Sequence, residues 1–207
     1  MKTRKIITAL LAGVIAATAT VSVSAATLTG ESPDGSTEVT AKIEGAGPGE
    51  VSYIITIPDK VDFGTLSQPE TDEDSYKYVG FNVVATELNN FSTRQAVSVH
   101  IKDSVSEDGQ FYLTQKETET PFTISYDIFE RVVDDTNRLE YTPMNESGTQ
   151  GEYGYHLCTF TAGTEGTAQD VTLALNQKKL YGQDLNTIAG DYSGTMVFHS
   201  AITTFGG

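Results

Sequence analysis

Tryptophan is absent from this chain, cysteine occurs once, and 13 basic residues stand against 28 acidic ones. Each shortage excludes something. One cysteine cannot close an intramolecular disulfide, so stability must come from an apolar core rather than from cross-links. A formal net charge of −15 leaves no basic face for nucleic acid or an anionic membrane. Spanning a bilayer takes about 20 apolar residues, and the strongest apolar run, Ile6 to Ala17, is shorter than that. Catalytic signatures are missing as well. There is no His-Glu-x-x-His, no Gly-x-Ser-x-Gly and no phosphate-cradling glycine loop ahead of a helix. The carboxylates suggest no pair at the spacing glycosidases use. Nowhere do apolar residues recur at three and four over a window long enough for an amphipathic helix.

What is present begins with an export address. Met1-Lys-Thr-Arg-Lys5 is basic, Ile6 to Ala17 apolar, and Val23-Ser-Ala25 fits the small-x-small cleavage rule. This pattern predicts a secretory signal peptide over 1–25, with no membrane insertion after cleavage. Loss of Lys2, Arg4 and Lys5 leaves 10 basic residues against 28 acidic ones, a net charge of −18 suited to solubility outside the cell. Residues 26–36, rich in Gly, Ser, Thr and Asp, read as a flexible leader, and 37–207 as one domain.

Alternation with a period of two dominates that domain. It appears over Thr37–Ile43, Val51–Ile57, Val61–Leu66, Tyr78–Thr86, Ala96–Lys102, Gln110–Thr114, Phe122–Ile128, Tyr155–Thr161 and Val171–Leu175. The final stretch from Tyr192 to Thr204 reads as one long strand, half-buried on the parity of Met196, Phe198 and Ile202, around which the others are expected to assemble. Only Lys178–Ile188 allows a helical turn. The pattern predicts an all-β fold, a single antiparallel β-sandwich (Greek-key, Ig-like or jelly-roll-like) of about nine or ten strands.

Candidate sites are few. Tyr76 and Tyr78 flank the acidic stretch Glu70–Asp74, and Tyr153 and Tyr155 lie in Gly151–His156. Tyrosines at loop edges can stack on sugar rings or anchor a protein interface, and they can equally close the ends of the sandwich. Asp72 and Asp74, and Asp134 and Asp135, supply the hard oxygen ligands that calcium favours, although neither loop has EF-hand spacing. No other cofactor is indicated. His100, His156 and His199 fall on three different strands with no local ligand spacing, so they read as surface histidines. Cys158 shares parity with His156 and Phe160 and reads as a small buried hydrophobe.

Two stretches resemble a known group. Tyr53-Ile-Ile-Thr-Ile-Pro-Asp-Lys-Val-Asp-Phe-Gly-Thr-Leu66 resembles the "strand, Ile-Pro, Val-x-Phe-Gly" segment of small secreted β-proteins of Gram-positive bacteria. Ala189-Gly-Asp-Tyr-Ser-Gly-Thr-Met-Val-Phe198 is similar to their closing strand. That group includes WxL-like cell-surface domains and adhesin- or fimbrial-type sandwiches. The resemblance implies a non-catalytic surface or adhesion-type binding protein. Its partner would be a host or cell-envelope protein or glycan, with self-association by strand addition from Ala26–Val39 as the alternative. A metal-dependent or glycan-directed hydrolase is a third reading. The Trp-x-Leu motif that names the WxL domains is absent, and Phe198 stands near where its aromatic would fall, so peptidoglycan attachment does not carry over.

Overall fold

Two-residue alternation becomes ten antiparallel strands in the computed structural model, which describes residues 38–42 and 50–205. The expected signal peptide and leader lie outside the described residues. The strands are β1 (Glu38–Lys42), β2 (Ser52–Pro58), β3 (Tyr76–Asn89), β4 (Gln95–Asp103), β5 (Phe111–Gln115), β6 (Thr123–Phe129), β7 (Tyr155–Thr161), β8 (Ala168–Asn176), β9 (Tyr192–Ser193) and β10 (Met196–Thr204). One sheet has the order β1-β2-β3-β8-β6-β5-β9 and the other β10-β4-β7. The chain passes between the layers after β3, β4, β6, β7 and β9, which makes the fold an antiparallel β-sandwich. No helix among the described residues is long and apolar enough to cross a membrane.

The core lies where the inward residues of the layers meet. Val97, Val99 and Ile101 of β4 are fully buried, as are Val83 of β3, Ile124 and Ile128 of β6, and Val171 and Leu175 of β8. Each such side chain contributes about 1.5–3 kcal/mol relative to exposure. Phe81 meets Phe198 edge-on at 6.1 Å between centroids, and Phe111 meets Tyr155 at 6.3 Å, so aromatic contacts bridge the layers at both sides.

Several expectations change in three dimensions. Val61–Leu66 is not a strand. Asp62 accepts a hydrogen bond from the Gly64 amide at 2.7 Å, and Gly64 turns left-handed at φ +62°, which breaks the extension while Phe63 still reaches the core. The C-terminal stretch is two strands rather than one. β9 pairs with β5 in the large sheet, and β10 pairs with β4 in the small one. The crossing requires Gly194, where a Cβ would lie 2.1 Å from the Tyr112 carbonyl oxygen. β10 therefore forms an edge, and the centre of its sheet is β4. Glu38 and Val39 lie in the first expected strand and pair with Pro58 and Ile57 of the same chain. Helical turns are not confined to the expected region: besides the 3-10 turn Gln177–Leu180 and the α-helix Leu185–Ile188, whose leading amides are capped by Asn176 and Asp184, a 3-10 turn forms at Arg138–Glu140 and an α-helix at Met144–Ser147.

Register also corrects the reading of β7. Val99 pairs with Cys158 and His100 with His156, so Leu157 has no partner and forms a bulge. Leu157 and Cys158 are consequently both buried, whereas His156 turns outward. The thiol is buried as expected, but not on the parity of His156.

Candidate binding site

The four candidate tyrosines divide between the two outer faces and the core. Tyr76 and Tyr78 lie on the outer parity of β3, stacked at 6.0 Å with an interplanar angle of 28°. The loop after β6 folds over them. Phe129, Val133 and Ala174 form a second small core there, with Tyr76, Tyr78 and Tyr141 packed against it. Arg138 places its guanidinium 3.9 Å from the Tyr76 centroid and donates to Asp127 at 3.2 Å, and Tyr78 donates to Asp135 at 2.9 Å. Burial, then the bond to Asp135, pushes the Tyr78 phenol well above the ordinary tyrosine range. These two rings clamp a loop and offer no open rim. Tyr155 is core, only 5% exposed. Glycines make room for it: a Cβ at Gly109 would sit 2.4 Å from its hydroxyl oxygen, and one at Gly148 would sit 2.8 Å from its ring.

The acidic candidates are engaged locally. Lys178 Nζ lies 3.6 Å from Asp72 and 3.8 Å from Asp74, and Asp74 also accepts from Asn176 at 3.0 Å. Asp134 accepts from the Thr136 amide at 2.8 Å and the Thr136 hydroxyl at 2.5 Å, which hold its carboxyl below the usual range. Asp135 accepts the Tyr78 hydroxyl. Among the described residues, no three His, Cys, Asp or Glu side chains are grouped so as to hold a metal ion.

Tyr153 is different. It occupies a two-residue turn closed by reciprocal bonds between Gly151 and Gly154 at 3.0 and 3.1 Å. Gly154 presses against β4, where a Cβ would come within 2.2 Å of the Ile101 carbonyl oxygen. The contact lays the Tyr153 ring across the outer face of the small sheet. There it stacks on His199 at 3.8 Å and 8°, with 43% of the residue exposed.

Under that ring is a row the sequence did not reveal. His199 of β10 is opposite His100 of β4, and His100 is opposite His156 of β7. Three imidazoles thus stand at one level on three neighbouring strands. His100 and His156 meet edge-on at 5.5 Å, and His100 lies 6.4 Å from Tyr153. Thr159 Oγ1 is 2.8 Å from His156 Nε2, while the buried His100 Nδ1 has no hydrogen-bond partner. Burial, then the charges His156 and His199 can carry, hold His100 below the ordinary histidine value of 6.5. His156 also lines a cleft of about 440 Å³ with Glu130, Arg131, Tyr141 and Met144. Among the described residues no carboxylate is hydrogen-bonded to His156 to orient the imidazole, unlike a nucleophile–base–acid triad. The arrangement offers a flat aromatic surface rimmed by groups that both donate and accept hydrogen bonds. Cys158, behind this sheet, is pushed up to about 12 by burial and then by the Glu130 charge, so its thiol takes no part.

No protein family matches this chain, and no curated protein does. A similar solved structure is described as "Chaperone-tip adhesin complex is vital for synergistic activation of CFA/I fimbriae biogenesis". The similarity has a TM-score of 0.39 and 10% identity, over 75% of this chain and 53% of that one. This chain therefore matches only about half the length of that neighbour, at a level of likeness that carries no functional argument.

Proposed function

We propose that the protein is a secreted, non-catalytic bacterial surface protein of the adhesion type, which binds a glycan or protein of a host or cell envelope through Tyr153 and the imidazoles beneath it. The observation that carries this reading is the Tyr153–His199 stack. It is an aromatic plane already fixed by a tight turn, so binding costs little further ordering. The export pattern and the resemblance to secreted Gram-positive surface proteins support the location. The acidic chain and the many hydrophilic turns suit that environment.

The test is binding of residues 26–207 to a glycan array and to isolated cell-wall material, with Tyr153→Ala and Tyr76→Ala compared. Tyr153→Ala is expected to weaken binding at least tenfold, about 1.4 kcal/mol, and Tyr76→Ala to leave it unchanged in the folded protein. Equal binding by wild type and Tyr153→Ala would contradict the assignment.

A further inference from the structure

We propose that the row His199–His100–His156 is an acid-operated switch in which protonation loosens edge strand β10 and dismantles the Tyr153 surface.

The geometry supplies the elements. β10 is held to its sheet by one neighbour, β4, and the middle imidazole of the row belongs to that neighbour. Backbone pairing locates the bonds that would give way. Thr195 accepts from Ser104, and Phe205 donates to Arg94, so the odd-numbered residues of β10 face β4. His199 is therefore in a hydrogen-bonded pair with His100, and Val197, Ala201 and Thr203 provide the adjoining bonds. The even-numbered residues face the open edge, where the Ser200 carbonyl accepts from Tyr53 at 3.1 Å.

The central imidazole stands between two others, whereas His156 shares its cleft with the carboxylates of Glu130 and Glu140 and the Arg131 guanidinium. The groups acting on His100 are His156 from β7 and His199 from β10. Tyr153, packed from the turn, brings a phenol ring rather than a carboxylate. Lys102, two residues along the same face of β4, adds a positive one. Like charges directly opposite on paired strands are destabilising. A proton on His100 Nδ1 would also be buried without an acceptor.

The sign follows from linkage. A histidine that holds its proton less tightly when folded adds stability at neutral pH. That contribution is lost as pH falls through 6.5 toward the lower folded value. Loss of the binding surface in acid rests on the function proposed above, whereas the loosening of β10 does not.

The experiment uses residues 26–207 and requires no ligand. Thermal melts at pH 7.5 and pH 5 are compared for wild type and His100→Gln, together with amide exchange corrected for intrinsic rates. Wild type is expected to lose several degrees in acid and to exchange faster at Val197, His199, Ala201 and Thr203 than at β3 and β8. The variant should lose much less. An NMR titration of wild type alone, independent of how the variant folds, should show a His100 midpoint below 6.5. Parallel acid losses in the two proteins, or a His100 midpoint at or above 6.5, would overturn the switch. Neither result would bear on whether Tyr153 binds a ligand at neutral pH.

Discussion

Gly154 decides where Tyr153 points. Its φ of +100° is in the region open to glycine, and its missing side chain lets the turn lie against the Ile101 carbonyl. Substitution by alanine meets both constraints together. Gly154→Ala is expected to cost about 3 kcal/mol, combining backbone strain and overpacking, and to release Tyr153 from His199. The checks are chemical denaturation and the loss of the ring-current shift on the His199 protons. An unchanged denaturation midpoint would contradict the account. Much at this scale was legible from local sequence. The glycine-rich turn, the outward His100 and His199 and the buried cysteine could each be read from neighbours, whereas the outward turn of His156 could not. The separate roles of Tyr153 and Tyr155 could not, because the bulge at Leu157 and the pockets left by Gly109 and Gly148 depend on distant chain segments.

Among the elements, the loop after β6 explains why Tyr76 and Tyr78 are structural. It buries Val133 in the second small core and is fastened by Arg138, which covers Tyr76 and pairs with Asp127. Both ends of that ion pair are mostly shielded, so removing the arginine leaves a carboxylate poorly solvated. Arg138→Ala is expected to destabilise the protein by about 1–3 kcal/mol and to speed tryptic cleavage at Arg131. Stability within about 0.5 kcal/mol of wild type, the usual range for a surface change, would show that the clamp contributes nothing. Strands whose alternation runs unbroken, such as Ala96–Lys102 and Phe122–Ile128, could be located from sequence because burial on one face imposes the period. Val61–Leu66 misled for a physical reason. Val61 and Phe63 share one parity, but Gly64 and the Asp62 side chain supply a local turn that competes with extension. The Tyr192–Thr204 stretch misled in the opposite sense, because alternation continues across Gly194 while the backbone changes sheets.

For the whole molecule, two layers and a single free thiol follow from composition and period, and the sequence carried that much. Register did not. Three histidines separated by tens of residues come to one level only through the pairing of β10 with β4 and of β4, past its bulge, with β7. A slip of one residue in either ladder would send the row to the other face. The proposed binding surface and the proposed acid response therefore both depend on these ladders. The most direct test is nuclear Overhauser spectroscopy on residues 26–207. In non-hydrogen-bonded antiparallel pairs the Cα atoms approach to about 4.5 Å, which brings their α-protons into close contact. Strong α-proton cross-peaks are predicted between Phe198 and Ile101 and between Ser200 and Val99. Cross-peaks displaced by one residue, or none between these strands, would contradict the register and remove the histidine row with it.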